Sequence, residues 1–335
     1  MKKALFIQLS PCICNIIQIL EASPLETSLL EKLTIAIPVY NDEKYIRHAV
    51  ESCLGQAGKI VIYDNASTDN TSQICSALAA QHPAVKYVRH PENIGAFGNF
   101  KSGLFDCQTE YFCWVGSHDL LDAGYSVPIL RAMEANKNIS IGAGTIVYID
   151  EDGRKTGQVT KTVWAKETTG RSAIDRAGLC ATKIKDCFLF YSIHRTASAK
   201  AAWFDEACLG FDRAFICKMA AEGEFFYEPT ASFFARDFVK TRKAQDTNAR
   251  RIKDIGGSKA AEIRKDLCQR NKTMIQTILA LAENDQELRL ALWYIDKINR
   301  RYVSRKKYQR RRLALIFFSV LIATCISLLW LAKLC

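Results

Sequence analysis

A single rhythm constrains this chain more than any other feature. From Leu33 onward, short apolar runs alternate with stretches whose apolar residues return at helical spacing. LTIAIPV (33–39), KIVIYD (59–64), VKYVRH (85–90), YFCWVG (111–116) and ISIGAGTIVYID (139–150) read as strands bounded by turn residues. Between the first two, Tyr45, Ile46, Ala49, Val50, Cys53 and Leu54 recur with helical period, and Ile74, Cys75, Leu78 and Ala79 do so in the next gap. Strand and helix alternating at this pitch predict βαβ units and an α/β fold with a doubly wound, mostly parallel, Rossmann-like sheet. From 151 to 240 the pattern is less regular: a turn at Glu151-Asp152-Gly153, a strand or two around 187–193, a helix around 212–222 and the run FFYEPTASFF. Residues 241–275, rich in Lys, Arg and Asp, read as a solvated helical segment leading to an amphipathic stretch at 285–303.

A chain of 335 residues can bury a full core. Its formal net charge of +11 is concentrated: eight Lys or Arg and no acid lie between Arg300 and Arg312, leaving about +3 for everything else. The body is nearly balanced, so nucleic acid is not an expected partner. Directly after the basic run, LALIFFSVLIATCISLLWLA (313–332) continues for 20 residues without a charge, about 30 Å as a helix and enough to span a bilayer. A basic flank before an apolar span follows the positive-inside rule and predicts a single-pass membrane protein with its domain in the cytoplasm. Thirteen scattered cysteines with no C-x-x-C suit a reducing compartment. The start, MKKALFIQLSPCICNIIQIL, has the basic end and apolar run of a weak signal sequence, but Gln8, Ser10, Pro11 and Asn15 interrupt it. An amphipathic helix on the membrane surface or packed on the domain is the expectation there.

Each early strand ends in polar residues. The first runs into Pro38-Val39-Tyr40-Asn41, the second into YDNASTDNT (63–71) and the fourth into Ser117-His118-Asp119. In a parallel sheet these ends converge on one rim, which makes a site for a polar, phosphorylated ligand. Asp64 and Asp69 read equally as turn and helix-cap residues. No G-x-G-x-x-G follows the first strand and no Walker sequence is present, so dinucleotide oxidoreductases and P-loop NTPases are poorly supported.

IAIPVYND (35–42), VIYDNASTDNT (61–71), HPENIGAFGNFKSGL (90–104) and FCWVGSHDLLD (112–122), in that order, resemble the family 2 glycosyltransferases with the GT-A fold. The resemblance covers roughly 33–240. It implies that Pro38, Tyr40, Asn41 and Asp64 hold the base and ribose of a nucleotide-sugar donor, and that Asn93, Gly95 and Asn99 lie under the donor at the start of the next helix. Gly95 also reads plainly as a residue permitting a tight turn. Ser117-His118-Asp119 falls where the family carries D-x-D. By that match Asp119 binds a divalent cation on the diphosphate, Mn²⁺ or Mg²⁺, while Ser117 and His118 approach the ribose or sugar. Two of the three acidic positions are thus not acidic, and imidazole suits a transition metal such as Mn²⁺.

Inverting sugar transfer also needs a base for the acceptor hydroxyl. LGFDRAFICKMAAEGEFFYEP (209–229) resembles the family's base region and makes Asp212 the candidate, with a helix N-terminal charge as its plainer reading. Arg195 in YSIHRTASAKAAW and Arg236 in FFARDF are possible phosphate or acceptor contacts, or structural residues. The resemblance implies an inverting, metal-dependent transferase. It takes a nucleotide sugar, expected to be a UDP-sugar, and acts on a lipid-linked saccharide or surface polysaccharide at the cytoplasmic membrane face. The alternative is a non-catalytic, membrane-tethered scaffold. The expected layout is an N-terminal extension (1–32), a GT-A domain (33–240) with a donor half (33–150) and an acceptor half (151–240), a helical juxtamembrane region (241–304), a polybasic flank (305–312) and a transmembrane helix (313–332).

Overall fold

The computed structural model describes residues 23–238, 254–256 and 267–302. A helix α1 (Pro24–Glu31), capped by Ser23, precedes β1 (Leu33–Val39), α2 (Ile46–Cys53), β2 (Lys59–Asp64), α3 (Thr71–Gln81), β3 (Val85–Arg89), α4 (Gly95–Asp106) and β4 (Tyr111–Trp114). β1 pairs in parallel with β2 and β4, and β2 with β3. Strands covered by helices on both faces are apolar through most of their length, which is why β1, β2 and β4 are nearly continuous apolar runs, whereas β3, at the edge of the sheet, keeps Lys86 and Arg89. Next come β5 (Leu120–Leu121), α5 (Ser126–Ala135), β6 (Ile139–Ile149), β7 (Lys155–Thr160), α6 (Ala173–Lys183), β8 (Ile193–Arg195), α7 (Thr196–Ala202), α8 (Phe211–Glu222) and β9 (Glu224–Arg236). Two helices, α9 (Leu267–Ala280) and α10 (Asp285–Tyr302), complete the described chain.

The sheet has nine strands in the order β3-β2-β1-β4-β8-β6-β9-β5, with β7 on β6. It is more mixed than the expected mostly parallel sheet. β8 runs antiparallel between β4 and β6, β5 antiparallel to β9, and β7 antiparallel to β6. β6 and β9 nevertheless point the same way as β1 to β4, so six strands end at one rim. Of the strand region expected around 187–193 only Ile193 is extended, beginning a strand that runs on to Arg195, and Phe188–Tyr191 form a short 3-10 turn.

An aromatic cluster joins the halves. Trp114 at the end of β4 stacks on Phe190 at 4.3 Å, and both meet Phe215 of α8 edge-on. Buried between Trp114 and Phe215 lies His194, whose Nε2 is 2.9 Å from the Phe190 carbonyl and whose Nδ1 has no partner among the described residues. Cys53, Cys75, Cys107, Cys113, Cys180, Cys208 and Cys217 are buried free thiols, and Cys187 is a half-buried one. Burial pushes the thiols of Cys53, Cys75, Cys208 and Cys217 up to about 12.

The end of the 241–275 segment, expected to be solvated, packs on the domain, and the stretch expected to be amphipathic at 285–303 buries one of its faces there. Met274 and Ile278 of α9, with Ala291, Tyr294 and Ile298 of α10, are buried in the same core cluster as α6 and α8. Tyr294 also donates a hydrogen bond to Asp175 at 2.9 Å. The folded unit therefore runs on to residue 302, because α6 and α8 present apolar faces that the sheet does not cover. The expected transmembrane helix, the polybasic flank and the first 22 residues lie outside the described residues, as do 239–253 and 257–266. Among the described residues no helix is long and apolar enough to cross a membrane.

Two stability measurements check this account. Ile298→Ala should lower the unfolding free energy by about 2–5 kcal/mol in urea titration, the cost of emptying a buried aliphatic site, whereas a solvated helix would lose almost nothing. His194 is depressed by burial to about 4, against about 6.5 when unfolded. The unfolded chain takes up its proton first, so the stability is fully present above pH 6.5 and is lost as pH falls towards 4. That loss should reach roughly 3 kcal/mol and be absent in His194→Phe.

Candidate functional site

The rim is organised around the end of β2. Asp64 is fully buried there, and its carboxylate accepts from the Ser67 N–H at 2.8 Å, the Ser72 hydroxyl at 2.8 Å, the Tyr87 hydroxyl at 2.7 Å and Arg89 Nη1 at 2.8 Å. Burial would push its pKa up, but the bonds from Ser67, Tyr87 and Ser72 outweigh it and hold the carboxyl below its ordinary value. Those bonds fold residues 65–72 back over the strand end. The folded loop then grips the first one: Ser67 Oγ accepts from the Asn41 N–H at 3.0 Å, Asn41 Oδ1 from the Thr68 N–H at 2.7 Å, and Thr71 Oγ1 from the Asp42 N–H at 3.0 Å. Asn41 sits at φ +51°, a conformation asparagine tolerates better than most residues. Asp64 and Asn41 were expected to touch a donor. The polar atoms of both are instead engaged in building the loops, and Tyr40, 48% exposed, is left standing at the end of β1.

Asn93 and Asn99 have similar duties. Asn93 Oδ1 accepts from Asn65 Nδ2 at 3.0 Å and from the Gly95 N–H at 2.9 Å, and Gly95 starts α4 at φ +75°. Asn99, buried, donates to the Tyr63 carbonyl at 2.9 Å. They hold α4 under the rim.

Between β1 and β4 the sheet opens. Of β1, only Leu33–Ala36 pair with β4, so Pro38, whose ring nitrogen carries no hydrogen, faces a gap where no ladder bond is required. The chain proceeds from β1 to β2 and β3 on one side and places β4 on the other, making this the topological switch point, where open α/β sheets bind ligands. The turn after β4 fills the mouth of the gap. Ser117 Oγ donates to Asp42 Oδ2, and His118 Nδ1 lies 3.1 Å from the same oxygen. Asp42 is the site carboxylate that motif matching passed over; its neighbour Asn41 carried the match, although Asp42 stands in the same PVYND run.

Asp119 turns inward. Its Oδ1 accepts from the Arg236 N–H at 2.8 Å, and a Cβ on Gly116 would collide with its Oδ2. Burial raises its pKa, against the opposing pulls of His118 and the Arg236 N–H. It is thus a fastener between the β4 turn and β9. Among the described residues no three His, Cys, Asp or Glu side chains are grouped to hold a metal. Asp119 Oδ1 is taken up by the Arg236 N–H and Asp42 is bonded to Ser117 and His118, so these two carboxylates are what the turn offers to the expected Mn²⁺ or Mg²⁺ on a diphosphate.

Neither arginine meets the expectation of a phosphate contact. Arg195 pairs across from Tyr111, the first residue of β4, because β8 runs antiparallel, which puts it at the end of the strand away from the rim. There it donates to Glu110 and to the carbonyls of Ile139 and Met133. Arg236 does reach the rim, but its guanidinium donates to the carbonyls of His118, Asp150 and Glu151 at 2.7–2.8 Å and lies 4.7 Å over the Tyr45 ring. Phe238 packs edge-on against both His118 and Tyr45. Asp212 is half-buried in the first turn of α8, accepts from the Arg213 N–H at 2.8 Å, and adjoins the Cys187 thiol. Cys187 and Asp186 in turn neighbour Tyr148 at the end of β6. Asp212 therefore stands on the β6 side of the rim, across from the loops of β1 and β2.

Residues 34–195 match the family model described as Glycosyl transferase family 2. Glycosyltransferase GlyG of Streptococcus pneumoniae serotype 4 is 35% identical over 125 residues, covering 36% of this chain and 41% of that protein. Glycosyltransferase GlyA of the same organism is 28% identical over 116 residues, covering 33% of this chain and 16% of its own length. The chain thus spans less than half of these curated relatives. The crystal structure of S. aureus TarS 1–349 in complex with UDP-GlcNAc superposes with a TM-score of 0.52 at 14% identity, over 79% of this chain and 80% of that one. That likeness is one of fold, and the fold is the GT-A arrangement.

The two buried carboxylates should betray their structural duty. Asp64→Ala strands four donors and should cost about 3 kcal/mol or more of unfolding free energy, and Asp119→Ala about 1–3 kcal/mol, both measured without ligand. Asp42→Asn, on the partly open side of the turn, should change stability by less than about 1 kcal/mol in the same measurement. Unchanged stability in Asp64→Ala would refute the assignment.

Proposed function

We propose that this chain is an inverting glycosyltransferase that takes a nucleotide sugar, a UDP-sugar, in the crevice between β1 and β4 and passes the sugar to a saccharide hydroxyl. One observation carries the reading: the loops after β1, β2 and β4 are laced into a single rim at the switch point, with Asp42, Ser117 and His118 at its mouth. The family match and the GT-A fold support it, and TarS, which shares the fold, was crystallised with UDP-GlcNAc.

In this mechanism Tyr40 offers its exposed ring to the base, and the laced 41–42 and 67–71 loops shape the ribose and diphosphate seat. Asp42 holds the 117–118 turn so that it faces the sugar. Asp212, on the opposite side of the rim, takes the acceptor proton as the hydroxyl oxygen attacks the anomeric carbon and the nucleotide diphosphate leaves from the other face. The acceptor is a lipid-linked or surface saccharide at the cytoplasmic face of the membrane. Support for that comes from the eight-cation run at 300–312 followed by the uncharged 313–332 stretch.

Donor-dependent release of UDP separates this enzyme from a scaffold that kept the fold, since a scaffold releases none. Asp212→Asn should cut turnover by roughly 10²–10⁴-fold with donor affinity and melting temperature nearly intact. Full turnover in that variant, or a loss explained by a lowered melting temperature, would assign Asp212 to the helix terminus instead.

A further inference from the structure

The helix α10 carries two unlike faces. Ala291, Tyr294, Ile295 and Ile298 are buried against the domain, whereas Arg289, Trp293, Lys297 and Arg300 are exposed. Their spacing of four, four and three residues puts those four in one outward stripe. Trp293 is 50% exposed, and the Lys297 ammonium lies 3.4 Å from its ring centroid. Of the acids of α10, Asp285 and Glu287 are in its first turn and Asp296 pairs with Arg300, offsetting that one cation and leaving Arg289 and Lys297 on either side of Trp293. A large aromatic flanked by cations fits the interfacial zone of a bilayer, where the indole sits among headgroups and basic side chains meet anionic phosphates.

The end of α10 also has a position relative to the rim. Arg301 donates to the carbonyls of Thr182 and Ile184, and Arg213, next to Asp212, donates to the Lys185 carbonyl. The helix therefore ends beside the 182–187 segment that adjoins Asp212, and the sequence passes directly from it into RKKYQRRR and the uncharged stretch. We propose that the outward face of α10, centred on Trp293, rests on an anionic phospholipid surface and holds the Asp212 side of the rim at headgroup depth. This rests on the membrane reading above and adds to it a surface, an orientation and a lipid charge. An acceptor sugar on a lipid carrier would then meet the base without leaving the bilayer.

The test uses the full chain carrying Trp330→Phe, so that the 313–332 stretch contributes no indole, reconstituted into phosphatidylcholine vesicles with or without phosphatidylglycerol. Flotation reports anchoring, and brominated acyl chains report indole depth by quenching. The expected result is flotation with quenching that disappears in a further Trp293→Phe change. Quenching should also be at least twofold weaker in Arg289→Glu/Lys297→Glu and in vesicles lacking phosphatidylglycerol. Turnover of a UDP-sugar on a soluble acceptor should be unchanged in Trp293→Phe. Flotation without Trp293-dependent quenching overturns the docking of α10 and leaves the anchor standing; quenching equal in both vesicle types overturns the anionic requirement. Failure to float overturns docking and anchor together, while turnover on the soluble acceptor reports separately on the transferase.

Discussion

A buried carboxylate with no water to solvate it must find donors, and Asp64 finds four in Ser67, Ser72, Tyr87 and Arg89. This demand has structural reach. It bends the 65–72 loop back over β2, and the bent loop grips Asn41 and Asp42, fixing the approach to α2. The carboxylate of Asp42 is thereby left facing the turn after β4. A rim assembled in this way is rigid before any ligand arrives, so binding need not spend energy on ordering it.

The opposite wall depends on packing rather than polarity. Phe211 and Phe215 bracket Asp212 on α8, and Phe211 meets Phe97, Phe100 and Phe190 edge-on or tilted while Phe215 meets Trp114. Trp114 is the last residue of β4, one step before the turn carrying Ser117 and His118. The same aromatic cluster thus sets both the end of the strand and the first turn of the helix, and the separation of the two walls becomes a property of the core.

The first half of the sheet was legible in the sequence because buried parallel strands must be apolar through most of their length, and LTIAIPV, KIVIYD and YFCW are. The second half was not. β5 is two residues and β8 three, too short to show a period, and their pairing with β9 and β4 is non-local. The start of α9 looked solvated because it closes the 241–275 stretch, whose Lys, Arg and Asp lie mostly before the helix, while Met274 and Ile278 meet the core. The rim could be read from polar strand ends, yet roles within it could not. Whether Arg236 meets a phosphate or three carbonyls depends on where β6 and its turn come to lie, and a carbonyl leaves no mark in a sequence. The bond that Asp119 makes left no mark for the same reason, its partner being a backbone N–H on a strand more than a hundred residues away.

The buried thiols have a kinetic meaning. Only a thiolate reacts readily with alkylating reagents, and a group held near 12 has a thiolate fraction of roughly 10⁻⁵ at neutral pH, in addition to being out of reach. Cys53 closes α2 and Cys75 lies in α3 near Asp64, while Cys180 and Cys217 lie between α6 and α8. Each pair is therefore silent in the closed protein and reactive only when its own region opens. The chain carries two internal clocks, one on the side of α2 and α3 and one on the side of α6 and α8, and their rates of modification would show whether the two sides come apart together or one at a time.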